Sequence, residues 1–281
     1  MRHRRAHPAG VVTGAAPSSG TLSFVGTATV LLECAGMRVL TDPNFLHRGQ
    51  RAWLGHGLTS KRLTEPAWTP EELAPVDAVV LSHLHGDHWD RETRRRLPRS
   101  TPIVTTPHAS RRLQTRHGFP RAVGLATWES HVLAGPDGAT CTVTALPGRH
   151  APEPVQRLLP PVMGSLLEFR APGGRLVQTT YLSGDTLVFD GLHAIREHVD
   201  EVDRAVLHLG GTTLPGGVMV TMDGRQGVDA LEILAPRRAT PVHYDDYTVF
   251  RSPLSDFVGE VERRGWAGRV DYVGRGDTIP L

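Results

Sequence analysis

The chain has 281 residues, 39% of them hydrophobic and 21% charged, a balance that fits a globular protein and excludes a disordered one. A formal net charge of +2, with histidines neutral, is too small to argue for nucleic acid or an anionic membrane as partner. Asp42, Arg91 and similar charges interrupt every apolar run before it could span a bilayer.

Residues 1–20 are basic, then small and polar, without an apolar stretch of signal-peptide type, and are expected to be a disordered lead-in. Cys34 and Cys141 sit in apolar runs and read as small core residues, so a cytoplasmic protein without a required disulfide is expected. Residues 21–42 read as short strands broken at Gly26 and Gly36, the last ending at Asp42. Residues 44–70 read as one long irregular loop, and long loops in compact domains tend to be functional. A buried strand over 77–83 runs straight into the stretch LSHLHGDHWD, residues 81–90. A short helix over 90–98 follows, with Asp90 as its N-cap and Pro98 at its end. The runs PIVTT, RAVGLA, TCTVTAL, SLLEFR and RLVQTTYLSGD predict further strands. Helices are expected near 187–199, 224–235 and 253–264, alternating with strands RAVLHL and ATPVHY. This pattern predicts a mixed sheet layered with helices, with its chemistry in loops at one edge.

His83 and His85 are two apart in a chain leaving a strand and can point to the same side. Asp87 and His88 come one turn later, which suits a second adjacent metal, with Gly86 letting the backbone bend between the pairs. An ion of zinc type wants four or five nitrogen and oxygen ligands. His150 after LPGR, Asp185 in YLSGDT and His243 in TPVHYDDY each lie at a predicted strand exit and supply the missing ones.

The pattern His-x-His-x-Asp-His, then a lone His, then Asp in Ser-Gly-Asp-Thr, then a lone His, resembles the metallo-β-lactamase superfamily over about residues 21–281. GTATVLLE, VLTDP, GGT, VTMDGRQGVDAL and PVHYDDY extend the likeness to its metal-dependent hydrolases, a group that includes ascorbate-phosphate lactonases and N-acylphosphatidylethanolamine phospholipase D. The resemblance implies an α/β fold of the four-layer αββα type in a single domain over 21–281. It implies two divalent ions, zinc first with manganese or iron also accepted. His83, His85 and His150 would hold one ion and Asp87, His88 and His243 the other, with Asp185 bridging. Asp42 would orient the histidine loop as an acceptor behind the ligands. Two positions depart from the pattern: Thr27 stands where this group often has histidine. Thr221 stands where the phospholipase branch has another, which weakens that branch specifically.

The expected reaction is cleavage of a small ester-like substrate, a lactone or a phosphodiester, by a hydroxide bridging the two metals, with Asp87 also moving a proton toward the leaving group. Trp53, Trp68 and Trp89 are candidates for a substrate wall, and His208, Tyr244 and Tyr247 for the pocket. The remaining histidines read as surface residues, and the arginines of RETRRRL as a solvated helix face. A nuclease of the same fold, a di-iron redox protein and a non-catalytic metal-binding protein are the alternatives. The near-neutral charge disfavours the first; His85, where redox members carry glutamate, the second; a ligand set with no losses the third. The expected partner is a small molecule, with no nucleic acid and no membrane span; the residues leave a homo-oligomer open.

Overall fold

The computed structural model describes residues 20–281, so of the expected lead-in all but Gly20 lies outside the described residues, and Gly20 already belongs to the first strand. Three antiparallel strands open the fold: β1 (Gly20–Gly26), β2 (Thr29–Cys34) and β3 (Met37–Thr41). The segment read as an irregular loop instead folds into a hairpin, β4 (Arg51–Gly55) and β5 (Leu58–Lys61). Its alternation is that of a half-buried ribbon, Ala52 and Leu54 inward and Arg51 and Trp53 outward. Gly55, His56 and Gly57 make the turn, all at positive φ.

Helix α1 (Pro70–Leu73) leads to β6 (Ala78–Val80), shorter than its apolar run, and then to α2 (Arg91–Arg96). Asp90 caps α2 as expected, its carboxylate accepting from Thr93 N at 2.7 Å. Next come β7 (Ile103–Thr105), α3 (Pro107–Arg112) and β8 (Ala122–Gly124), α3 being a helix that the sequence reading did not anticipate. Strands β9 (Ser130–Ala134), β10 (Thr140–Leu146), β11 (Gly164–Arg170) and β12 (Leu176–Leu182) form an antiparallel run. Then α4 (Asp190–His198) precedes β13 (Arg204–His208), and a small hairpin, β14 (Thr213–Leu214) and β15 (Val218–Met219), precedes α5 (Gly224–Leu234). The chain ends through β16 (Arg238–Val242), α6 (Leu254–Arg263) and β17 (Thr278–Pro280).

The strands form two mixed sheets, ordered β17-β1-β2-β3-β6-β7-β8 and β16-β13-β12-β11-β10-β9. An apolar core including Phe24, Leu32, Val80, Val143, Leu167 and Val206 lies between them, and Cys34 and Cys141 are buried in it. Leu192, Leu231 and Phe257 of α4, α5 and α6 cover the outer face of the second sheet, and a cluster around Leu73, Trp89, Leu97 and Leu113 covers that of the first. The result is the expected four-layer αββα arrangement. Among the described residues no helix is long and apolar enough to cross a membrane.

The loops that leave β3, β6, β10, β12, β13 and β16 carry the residues singled out in the sequence. Parallel pairing of β3 with β6 and of β12, β13 and β16 with one another brings those exits to a common edge. Irregular backbone there leaves side chains free to converge.

Candidate metal centre

The loop after β6 folds back on itself over His83–His88, with His88 N and Trp89 N both donating to His85 O at 3.1 and 2.9 Å. Gly86 is needed here for a different reason from the expected one. Its φ is not in the left-handed region; a Cβ at this position would lie 2.6 Å from Trp53 N and 2.8 Å from Trp53 O. Gly86 N donates to Trp53 O at 2.8 Å, so β4 lies directly on the histidine loop.

His83 Nε2 and His150 Nε2 approach His85 Nδ1 at 2.9 and 3.0 Å. All three rings are buried. Burial, the first cause in all three, lowers the pKa of each; neighbouring imidazoles add to it at His83 and His85, and at His150 it outweighs Asp185 and Val220 O, while that of His85 falls to about 3. These rings are therefore neutral at physiological pH and their lone pairs are available. His150 Nδ1 approaches Val220 O at 2.6 Å, which places its proton on that nitrogen and turns Nε2 inward.

A second cluster lies against the first. His88 Nε2 is 3.2 Å from Asp185 Oδ1, and His243 Nε2 is 3.5 Å from Asp87 Oδ2. Asp185 groups with His83 and His88, and Asp87 groups with His88 and His243, each set within ligand reach. Burial lowers the pKa of His88 and His243, but the facing aspartates outweigh it and raise both. Burial likewise raises Asp87 and Asp185, and the histidines outweigh that and lower both. The loop that holds His243 is fixed by its own left-handed backbone, φ 64°, and by donation from His243 N to Thr27 O at 2.8 Å.

Asp42 lies behind both clusters. Its Oδ1 accepts from Ser82 N at 2.7 Å and Ser82 Oγ at 3.0 Å, while Oδ2 faces His88 Nδ1 at 3.2 Å and His208 Nε2 at 3.3 Å. The expected orienting role fits this geometry, because a proton on His88 Nδ1 facing Asp42 would leave the Nε2 lone pair to a cation shared with Asp185. Ser82 also reaches His83 Nδ1 at 2.9 Å.

The donor set fits divalent cations. His85 Nε2, Asp87 Oδ1, His88 Nε2, Asp185 Oδ1 and His243 Nε2 are buried and without hydrogen-bond partners. Three buried carboxylates, Asp42, Asp87 and Asp185, lie here, and no lysine or arginine forms an ion pair with any of them among the described residues. Orphaned ligand atoms, and buried carboxylates with no lysine or arginine beside them, are costly unless a cation joins them.

A cavity of about 280 Å³ opens onto His85, Asp87, His150 and Asp185. Its walls are Leu54 and Leu58 of the β4–β5 hairpin, Val155 and Leu158 of the loop after His150, and Leu214 and Val218 of the β14–β15 hairpin. The pocket candidates need correcting against this geometry. Trp53 is 58% exposed on the outer side of the hairpin and Leu54 takes the wall position, because alternate residues face opposite sides. Trp68 and Trp89 pack in the core cluster beside α1 and α2, and neither lines the cavity. His208 is buried behind His88, Tyr244 packs in the core beneath α5 and α6, and neither reaches the cavity. Tyr247 is buried too; its hydroxyl donates to Asn44 Oδ1 at 2.9 Å in a network with Arg62 and Asp246 that anchors the hairpin and holds Thr27 N.

Several residues of the site escaped the sequence reading. Thr212, within the GGT motif already noted, lines the cavity with its hydroxyl unpartnered. Thr221, noted only as a missing histidine, donates to Asp185 Oδ2 at 3.1 Å. His56 is exposed as expected, and it also approaches Leu158 O at 2.6 Å, tying two cavity walls together.

The model of the β-lactamase superfamily domain matches residues 37–244. The chain belongs to this superfamily. It is 29% identical, over 92% of its own length and 97% of the other, to a UPF0173 metal-dependent hydrolase of Deinococcus radiodurans. Its fold is similar to that of a possible metal-dependent hydrolase of Veillonella parvula, with a TM-score of 0.79, 20% identity and coverage of 94% and 100% of the two chains. It is also similar to an isothiocyanate hydrolase from Delia radicum gut bacteria, with a TM-score of 0.75, 20% identity and coverage of 92% and 98%. These likenesses to solved structures agree with the four-layer fold described above.

Proposed function

We propose that this superfamily member is a metal-dependent hydrolase acting on small ester-like substrates that present an uncharged group to the metal-lined cavity, with a carboxylic ester or lactone favoured over a phosphodiester. The observation that carries the reading is the convergence of orphaned histidine and aspartate atoms at the floor of an apolar cavity. The names of the curated relatives point to the same reaction class.

His83, His85 and His150 would hold one ion, and Asp87, His88 and His243 a second, with Asp185 shared. Zinc is the first expectation for such a nitrogen and oxygen set, and manganese or iron are accommodated by the same donors. Divalent ions bound there would polarise the scissile carbonyl and lower the pKa of water from ~15.7 toward ~7. The chain does the rest. Leu54, Leu58, Leu158 and Val218 exclude bulk water and seat the apolar part of the substrate. The Thr212 hydroxyl is free to donate to a substrate oxygen. Asp87, which lines the cavity and has one oxygen unpartnered, is placed to pass a proton to the leaving group. No arginine or lysine lines the cavity, so an ionised phosphate would find no protein cation at the reacting position.

Elemental analysis of metal-reconstituted protein, followed by rates on chromogenic lactones, carboxylic esters and phosphodiesters, tests this reading. Close to two ions per chain and preferential ester or lactone cleavage are expected. Asp185→Ala should remove most turnover while the fold persists. A stoichiometry below one under saturating metal would refute the paired centre; phosphodiesters as the preferred substrates would refute the substrate class.

A further inference from the structure

On the side of the histidine loop away from the apolar cavity, a groove of about 300 Å³ is lined by Arg51, Arg91, Arg94, Arg112, Arg116 and Trp53. Three elements converge to make it. Arg91 and Arg94 are three apart on α2, and Arg112 and Arg116 are four apart where α3 runs into the following turn, spacings that put each pair on one face. Arg51 and Trp53 both face outward on β4.

All five arginines are exposed, and none forms an ion pair with a carboxylate among the described residues. Their neighbours on the same helices differ, because Arg95 pairs with Glu92 and Arg96 with Glu71. Arg51 Nε donates instead to Thr59 Oγ1, and Arg91 to the backbone oxygen of Arg51. Asp90 lines the groove, but its carboxylate is taken up by the backbone NH groups of Phe45, Leu46 and Thr93. His117, at the same groove, accepts from Trp89 Nε1 at 3.1 Å. Burial and then the charges of Arg94 and Arg112 push its pKa down to about 4, so it adds no charge to the groove.

The groove is connected to the metal centre. Trp53, Leu84 and Arg112 line both it and a neighbouring cavity of about 640 Å³, and that cavity shares His85, Leu54 and Leu158 with the apolar one.

We infer that the groove binds a phosphate-bearing small molecule with a flat ring, its phosphates on the arginine cluster and its ring on Trp53. Resting on the hydrolase reading above, the ligand is the phosphorylated leaving group of an ester whose uncharged acyl part occupies the apolar cavity. Planar guanidinium forks suit phosphate oxygens, and an exposed indole offers a stacking face. The groove's size suits a single nucleotide-sized group rather than a polymer.

Calorimetric titration of the metal-loaded protein with ADP, pyrophosphate and a single-stranded RNA oligonucleotide tests the groove directly. ADP should bind more tightly than pyrophosphate, and Arg94→Ser and Arg112→Ser should each weaken it about tenfold or more. Trp53→Ala should erase the preference for ADP over pyrophosphate. Because Arg94→Ser and Arg112→Ser leave every proposed metal ligand in place, their loss of binding excludes chelation by the metal centre as its source. No ADP binding, or binding indifferent to the arginine substitutions, would overturn the groove even if esters are hydrolysed. RNA binding far tighter than ADP would overturn the small-molecule assignment in favour of a nucleic-acid surface. The leaving-group assignment is read separately. The ratio of kcat/KM for a phosphate-tailed ester to that for an untailed one should fall about tenfold in Arg94→Ser, and an unchanged ratio would overturn it. Arginine-dependent ADP binding without hydrolysis of any ester would leave the groove standing and refute only the hydrolase reading and the tail built on it.

Discussion

Asp42→Asn is the cleanest perturbation of the centre, because it changes one atom's chemistry and little else. Asp42 has a left-handed backbone, φ 37°, which asparagine tolerates better than most residues. The amide oxygen can keep both bonds from Ser82, now at 2.7 and 3.0 Å. The amide nitrogen then takes the place of Oδ2, 3.2 Å from His88 Nδ1 and 3.3 Å from His208 Nε2. It is a donor, so His88 must accept on Nδ1 and carry its proton on Nε2, the atom facing Asp185. That is the wrong tautomer for a ligand. Losing such a supporting acceptor typically costs about 10–100-fold in metal affinity, or roughly 1.4–2.7 kcal/mol. The loss should fall on the ion held by Asp87, His88 and His243, while the His83, His85 and His150 set serves as internal reference. Competition titration with a chromophoric chelator would show one affinity falling and the other moving by less than threefold. Two parent-like affinities in a folded Asp42→Asn protein would refute the tautomer argument.

Gly86→Ala puts a methyl group 2.6 Å from Trp53 N, against backbone that cannot rotate aside, and should cost about 1–3 kcal/mol as the hairpin lifts. A lowered melting temperature with a changed ratio of rates on bulky and small esters is expected; parent-like values for both would remove the docking role of this contact. Metal removal should destabilise the fold, since ions at about 100 times their Kd contribute ~2.7 kcal/mol. With about 2–4 °C per kcal/mol for a chain near this size, EDTA should lower the melting temperature by roughly 5–10 °C. Thermal unfolding with and without chelator measures it, and coincident curves would show that nothing binds the orphaned ligands.

The strands and helices that carry the ligands were legible because their apolar runs end abruptly at chemistry-bearing residues. VVLSH, TALPGRH, TYLSGD and ATPVH each pass from buried strand to site within one to four positions. The β4–β5 hairpin was hidden because its inward residues, Ala52, Leu54 and Ser60, are few and partly small, and its outward ones include a tryptophan. The Gly-His-Gly turn between two alternating stretches was the signal available. The pocket was less legible than the ligands. Tryptophan and tyrosine were read by residue type, whereas the fold assigns them by strand parity and by the partners their polar ends find, Asn44 for Tyr247 among them. Support for the ligands was hidden for a similar reason. Ser82 and Thr221 are ordinary residues in sequence, and their roles arise only from sheet pairing that brings them against Asp42 and Asp185.

Charge shows the same limit from another direction. A net +2 averages over pairs that neutralise one another, such as Arg38 with Glu33, Arg238 with Asp271 and Arg264 with Asp229. What a ligand meets is the unpaired remainder and where the fold gathers it. Here α2 and α3 belong to separate stretches of chain, yet both cover the same sheet face and turn Arg91, Arg94, Arg112 and Arg116 toward one groove. On the other side of the same hairpin, the cavity over the ligands has no arginine or lysine at all. A ribbon whose alternate residues face opposite ways, Trp53 toward the arginines and Leu54 toward the ligands, therefore separates a cationic surface from an apolar one within a single residue step. A substrate charged at one end and neutral at the other would be oriented by that step before any chemistry began.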